Sequence, residues 1–452
     1  MNDAGTGGIL FAANPDSGLI NPLLTLAAEL AARGGTELWF ASTDDRKAAI
    51  EATGRTGFVS VGARDPGLDP ANWGADTYRA LCSGSMLRRF DAFLDAVSAP
   101  EDVWAKYRAL TGRLGRIAPA LVVADSSSTW AMDAAMAHGI PYVMTVPIPI
   151  SSVYFERLPR RFPVPFSGLP QRMTRAQRFA NLRFRLGSRI ALVRPSRLRA
   201  AAPLARNRRA AGLPNPHGLP SGYADLAAGV LAFTVPELEL PFDTPENLRF
   251  VGAMVPDGRH DLPAGDDLAT WLDRHESIVY IGFGTIMRLS RAQLHAILGV
   301  VEALGPEHHV LWKLPADQRA ELPAELPPNL RVETWVASQL AVLAHPNVLV
   351  FFNHGGGNGV NEGLYFGKPL LVLPFWVDCH DFAARVVESG AGLAVPHEPE
   401  LDGTRIRREL TRLLNEPEFT TRALRLAAAH RAAGGVGAGA DLIAAARRPV
   451  EA

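Results

Sequence analysis

The chain is nearly without cysteine: Cys82 and Cys379 are the only two in 452 residues. A disulfide framework is therefore excluded as the organising device, and two lone thiols fit a reducing compartment such as the cytoplasm. No apolar run reaches the roughly 18 uncharged residues that a spanning helix needs. The amino-terminal stretch Met1–Gly8 lacks the basic start and apolar core of a signal peptide, so none is expected. Net charge is missing as well. The 46 basic residues balance the 46 acidic ones, which removes any global attraction to nucleic acid. What is present is ordinary for a globular protein, with 47% hydrophobic and 8% aromatic residues. The length is too great for one core and suits two domains of about 200 residues each.

Read in order, the chain alternates. Gly8–Ala13 has the composition of a strand, and a turn with Asn14, Pro15, Asp16 and Gly18 follows. A helix capped by Asn21 and opened by Pro22 is expected to run to Gly34. Strands are expected at Glu37–Ala41, Leu121–Ala124 and Tyr142–Val146, with helices around Trp104–Leu114 and Thr129–His138 between them. Val230–Thr234 adds a strand, and the proline-punctuated Val235–Pro256 suggests a linker. A second set follows: strands Ile278–Gly282, His309–Leu314 and Leu330–Thr334, with a helix at Ser290–Leu304. Arg405–Leu414, Ala423–Ala432 and Ala440–Arg447 have the pattern of closing helices. Strand, helix, strand at this spacing implies parallel sheets. The fold class expected is α/β, two Rossmann-like domains facing a cleft. The division would be 1–235, a linker at 236–256, 257–430, and a closing segment 431–452 that packs back on the first domain.

Residues 157–209 stand apart. They hold fifteen arginines and no Asp, Glu or Lys. One reading is a solvated insertion whose arginine stems cover apolar surface. The other is a patch that meets an anionic membrane surface or an acidic acceptor.

The chemistry concentrates at 345–381. Val348–Phe352 is an apolar, β-branched and aromatic run, fit for a buried parallel strand. His354, Gly355, Gly356, Gly357, Asn358 and Gly359 follow, then a helix-like stretch Val360–Phe366. A strand that passes through glycines into a helix presents bare N–H groups at the positive helix end, an anion site suited to a diphosphate. The alternative is a plain tight turn. The next strand, Pro369–Leu373, brings Asp378 and Asp381 to the same sheet edge, where α/β folds bind ligands. Gly284 and Thr285 end another strand and suit close approach to phosphate. Trp335 could stack on a base or fill a core. Glu362 would repel a diphosphate and is better used on ribose hydroxyls. Asp378 could hold sugar hydroxyls or cap a helix.

These residues carry a resemblance. Trp335–Asp381 resembles the nucleotide-sugar signature of the inverting family-1 glycosyltransferases, the UDP-glycosyltransferase superfamily with the GT-B fold. His345, His354, Gly356, Asn358, Glu362, Gly367, Pro369, Pro374 and Asp378 stand in register with it. Weaker likeness extends over nearly the whole chain, through Gly18, Asn21, Pro22, Leu23, Asp125, Gly139-Ile140-Pro141 and Val251-Gly252. The resemblance implies a UDP-sugar donor with Trp335 on uracil and Val336 and Gln339 near base and ribose. It puts Glu362 on the ribose hydroxyls and His354, Thr285, Asn358 and Gly359 on the diphosphate. Asp378 would hold the sugar, and Gly284, Gly356, Gly357 and Cys379 complete the candidate donor site. With no Asp-x-Asp motif, neither metal nor other cofactor is expected. The partners expected are the donor and a small acceptor, with a monomer or homodimer equally compatible.

Three departures qualify the likeness. Ala337-Ser338 stands where the family has a single proline. Cys379 stands where it usually has glutamine, and Leu19 where it places a histidine base. Leucine cannot take a proton. Either another group such as Asp16 or Asp125 acts as base, or the acceptor needs none, or the protein binds nucleotide-sugar without transferring it. His138, at a helix end before Gly139, is better explained by capping.

Overall fold

The computed structural model describes residues 7–215 and 217–447. Met1–Thr6, on which most of the signal-peptide expectation rests, and the last five residues of the closing segment lie outside the described residues. Two all-parallel sheets organise the chain. The first contains β1 (Ile9–Ala12), β2 (Leu38–Ser42), β3 (Thr56–Ser60), β4 (Leu121–Asp125), β5 (Tyr142–Val146), β6 (Gly229–Ala232) and β7 (Leu248–Phe250). Their order is β3-β2-β1-β4-β5-β6-β7. The second contains β8 (Ile278–Gly282), β9 (His309–Lys313), β10 (Leu330–Glu333), β11 (Val348–Asn353), β12 (Leu370–Val372) and β13 (Gly392–Ala394), ordered β10-β9-β8-β11-β12-β13. Helices cover both faces of each sheet, so strands such as Leu-Val-Val-Ala in β4 and Val-Leu-Val-Phe-Phe in β11 are apolar almost without interruption.

In each sheet the direction of winding reverses beside the first strand, between β1 and β4 and between β8 and β11. Crevices at the carboxyl ends of such strands are where α/β sheets take ligands. The two crevices face each other.

Several local expectations change. The first helix is Ser17–Arg33, with Asp16 at its N-cap position but making no side-chain cap, so it starts before Asn21 and contains Pro22. Pro22 has no N–H, which leaves the Gly18 carbonyl one turn earlier without its helical donor. The side-chain amide of Asn358, from the second sheet's helix layer, donates to that carbonyl at 3.3 Å. The stretch expected as linker contains β7, an edge strand paired in parallel with β6. The helix after the glycines begins at Gly357, three residues earlier than its apolar pattern suggests, with Gly356 as N-cap.

Between β3 and β4 the expected helix around Trp104–Leu114 is present as Pro100–Ile117, whereas the stretch 61–99 before it gave no reading in sequence. Its helices Ala75–Cys82 and Met86–Val97 cross to the second sheet. Leu81 and Cys82 share a core with Phe375 and Trp376, and the Trp73 and Tyr78 rings pack on Trp376 at 5.6 and 5.8 Å. The closing helix Gly435–Ala446 returns to the first sheet. Val436, Ala440 and Ile443 pack among Ile20, Leu23 and Leu26, and Arg33 pairs with Asp441 at 2.5 Å. A buried polar knot also joins the two halves. Arg385 donates to Glu239 at 2.8 Å and to Ser151 Oγ at 3.0 Å, and Glu239 accepts the Ile150 N–H at 3.1 Å.

Candidate functional site

A cleft of about 470 Å³ lies where the two crevices meet. It is lined by Gly284, Thr285, Trp335, Val336, Gln339, His354, Gly356, Gly357, Asn358, Gly359, Glu362, Asp378 and Cys379 from one side, and by Asp16 and Leu19 from the other. Asp125 and Asp381 do not line it.

The second-sheet wall is built by β8, β9 and β11. Gly282 ends β8, and the chain turns through Gly284 at φ +78°, where a Cβ would stand 2.9 Å from the His354 ring. Only glycine lets the backbone lie so close to the imidazole. His354 follows β11, half-buried. Burial first, and the nearby Lys313 cation second, push its pKa down to about 4. The ring is neutral at physiological pH and its Nδ1 is buried without a partner. A neutral imidazole can still donate one N–H to an anion. Beside it the helix Gly357–Tyr365 opens onto the cleft, with Gly357, Asn358 and Gly359 in its first turn and their backbone donors unclaimed.

Glu362 lies farther along that helix. Its carboxylate accepts from Gln339 Nε2 at 2.7 Å, and Gln339 Oε1 accepts from the Tyr280 hydroxyl at 3.3 Å. Burial raises the Glu362 pKa, against the lowering pull of Gln339 and Lys313. Trp335 is 67% exposed, which excludes the core role, and Lys313 stands 5.1 Å over its ring. The residue additional to the family pattern has a local use: Ser338 caps the helix Gln339–Ala344, accepting from the Ala341 N–H at 3.1 Å.

Asp378 sits in the first turn of the helix Val377–Ser389, but Trp376 occupies the capping position, so the capping alternative falls away. Burial, and the carboxylate of Asp381 after it, raise the Asp378 pKa to about 7. Asp381 does not reach the cleft. It is buried and accepts the Phe166 and Gly168 N–H groups at 2.6 and 2.8 Å, a seam between the two halves.

On the first-sheet wall, Asp125 has no exposed surface. Its oxygens accept from the backbone N–H of Asn14 (3.2 Å) and Ser127 (2.8 Å) and from the hydroxyls of Ser127 and Ser128. Burial raises its pKa. Its lone pairs are committed and it has no opening to the cleft, a placement that suits holding the loop rather than meeting an acceptor. Asp16 does face the cleft, paired with Arg64 at 2.7 Å. Burial raises its pKa and Arg64 opposes the rise. Leu19 lies one turn along the same helix and keeps the wall apolar.

Sequence reasoning missed Lys313, Tyr280, Trp376 and Arg64. Lys313 was within reach of the rule that picked the other candidates, since it ends a strand one place from β8. The rest depend on pairings across the fold.

Comparison with known proteins bears on the family and the fold. A family model described as "UDP-glucoronosyl and UDP-glucosyl transferase" matches residues 154–433. The chain is 29% identical to 4'-demethylrebeccamycin synthase of Lentzea aerocolonigenes over 445 residues, covering 96% of this chain and 98% of that protein. It is 27% identical to 2-hydroxyacylsphingosine 1-beta-galactosyltransferase of Rattus norvegicus over 43% of this chain and 35% of that one. Among solved structures, the glycotransferase of kitacinnamycin superposes with TM-score 0.70 at 24% identity, covering 98% of this chain and 99% of the other. The glycosyltransferase VinC, in complex with DTDP, superposes with TM-score 0.65 at 20% identity over 97% and 99% of the two chains.

Proposed function

The chain belongs to the UDP-glucuronosyl and UDP-glucosyl transferase family and is a glycosyltransferase of the GT-B fold; from that premise we propose that it moves a sugar from a UDP-sugar to a small apolar acceptor with inversion. The observation that carries the proposal is the opposition across the cleft. An anion cradle of His354 and a helix start stands on one wall, a carboxylate and an apolar residue on the other, joined by the Asn358 bond to Gly18.

In this reading uracil stacks on the exposed Trp335, and Glu362, oriented by Gln339, accepts from the ribose hydroxyls. The diphosphate sits against the N–H groups of Gly357–Gly359, Thr285 and the neutral His354. Lys313 supplies the nearby positive charge. Charge develops on the departing diphosphate, where fixed donors at a helix start stabilise it most. Asp378 holds the sugar. The acceptor approaches from the opposite wall, among Leu19, Pro147 and Ile148, so the new bond forms on the face away from the leaving group. That single displacement inverts the anomeric centre. Asp16 takes the proton of a hydroxyl acceptor, its raised pKa making it a better base than an ordinary carboxylate.

The test is incubation with UDP-glucose, UDP-N-acetylglucosamine and a panel of small aromatic and aliphatic acceptors, followed by mass spectrometry of products. Glycosylated acceptor with inverted configuration is the expected result. Tight UDP binding with neither transfer nor slow donor hydrolysis would leave a nucleotide-sugar-binding protein and overturn the proposal.

A further inference from the structure

We propose that the helix Arg175–Leu192 is a membrane-surface contact that lies flat in the interface of an anionic lipid bilayer. The helix is apolar on two opposite faces. Its inner face, with Asn181, Phe184, Ser188 and Ala191 buried, packs on the helix Met86–Val97, and Phe184 meets Phe90 at 5.7 Å. Its outer face carries Phe179 (61% exposed), Leu182 (53%), Leu186 (54%) and Ile190 (65%), and Val193 (59%) follows just past its end. At about 100° per residue these positions form one stripe directly opposite the buried face. Isolated exposed apolar residues are common on soluble proteins, whereas a contiguous stripe of large ones marks a contact surface.

Charge selects the occupant. Arg175, Arg178, Arg183 and Arg189 flank the stripe and are exposed, and among the described residues none of them has a carboxylate partner. The Arg183 guanidinium stands 5.9 Å over the Phe179 ring. Elsewhere in the same segment, arginines with a structural task are paired: Arg194 and Arg197 with Asp91, and Arg208 with Asp133. The unpaired ones are therefore available to an anionic partner. A second copy of the chain fits poorly, because a two-fold axis would set these arginines against themselves. The helix, with an apolar stripe flanked by arginines, has the form of an interfacial helix whose side chains enter the acyl boundary while guanidinium groups meet headgroups. A capping box between Thr174 and Gln177 holds its start in place, so no folding is needed on contact. No helix of the described residues is long and apolar enough to cross a membrane, which leaves the surface mode.

The experiment is vesicle flotation of the full chain, with phosphatidylcholine alone and with phosphatidylcholine doped with phosphatidylglycerol. Wild type is expected to float at least about tenfold more with the anionic vesicles, and less as salt rises. Phe179→Ser/Leu186→Ser/Ile190→Ser and Arg175→Gln/Arg183→Gln/Arg189→Gln should each lower flotation roughly tenfold. Because all six positions are exposed, UDP affinity should stay unchanged in both variants, which certifies their folding independently of the proposed transfer reaction. Equal binding to neutral vesicles, no flotation of wild type, or variants that float like wild type would overturn the proposal. So would a wild-type dimer lost in the apolar variant, which would assign the stripe to a second copy.

Discussion

The two sheets wind alike, yet their crevices are equipped for different tasks. At the β8/β11 crevice the backbone itself is the reagent: glycines, a helix start and a neutral histidine leave donors facing open space. At the β1/β4 crevice the corresponding acid, Asp125, is sealed behind its own loop by four donors, and what reaches the cleft is Asp16 and Leu19. Winding order thus fixes where a site lies, while the residues after each strand decide whether it grips an anion or presents a carboxylate.

The contrast can be broken in four ways. If the first wall holds the base, Asp16→Asn should slow transfer to a hydroxyl acceptor by ~10²–10⁴-fold with UDP affinity unchanged, whereas Asp125→Asn should act mainly by lowering the melting temperature. A full rate in Asp16→Asn would leave that wall with no base. The second wall depends on the closeness of its backbone to the first. A Cβ on Gly357 would stand 2.1 Å from the Pro147 carbonyl oxygen. Gly357→Ala should then force the walls apart and cut kcat/KM by about 10²-fold, as a misplacement near 1 Å does. Steady-state kinetics check this, and an unchanged value would mean the walls need not meet. Glu362→Ala removes the acceptor proposed for the ribose. Calorimetry should find UDP affinity reduced roughly 10–100-fold and dTDP affinity reduced less, because dTDP lacks one hydroxyl. Equal losses would take the ribose role away.

The smallest effect concerns pH. Asp378 ionises near 3.8 in an unfolded chain but only at about 7 in the folded one. The folded state holds that proton more tightly, so its contribution to stability is complete below about pH 4 and is lost as pH rises towards 7. Asp378→Asn should therefore gain on wild type over that interval, by a few degrees of melting temperature, in thermal scans without nucleotide. A constant difference from pH 4 to 7 would mean that Asp378 is ordinary.

Much of the second wall was legible because local pattern and tertiary role coincide there. A run such as Val-Leu-Val-Phe-Phe has one good destination, and His354 with its glycines has few other uses. The first wall was harder. Pro22 looks like a helix opener, and it is tolerated inside one because the carbonyl it orphans is answered by Asn358 from the other sheet's layer, which no local pattern records. The helix Met86–Val97 buries only Phe90 fully and finds its neighbours in distant segments, so its pattern is faint. β7 is three residues long at a sheet edge and hides among prolines. Asp381 looked like a companion of Asp378 at a sheet edge, but its carboxylate is claimed by the Phe166 and Gly168 N–H groups of a distant segment, which no local pattern records.

Arg385, Glu239 and Ser151 bear on the spacing of the two walls. Parting the two halves enough to free a nucleotide would strain an ion pair shielded from water, and leaving either ion without its partner there costs about 3–5 kcal/mol. The contact therefore acts as a latch that holds the two walls of the cleft at one separation.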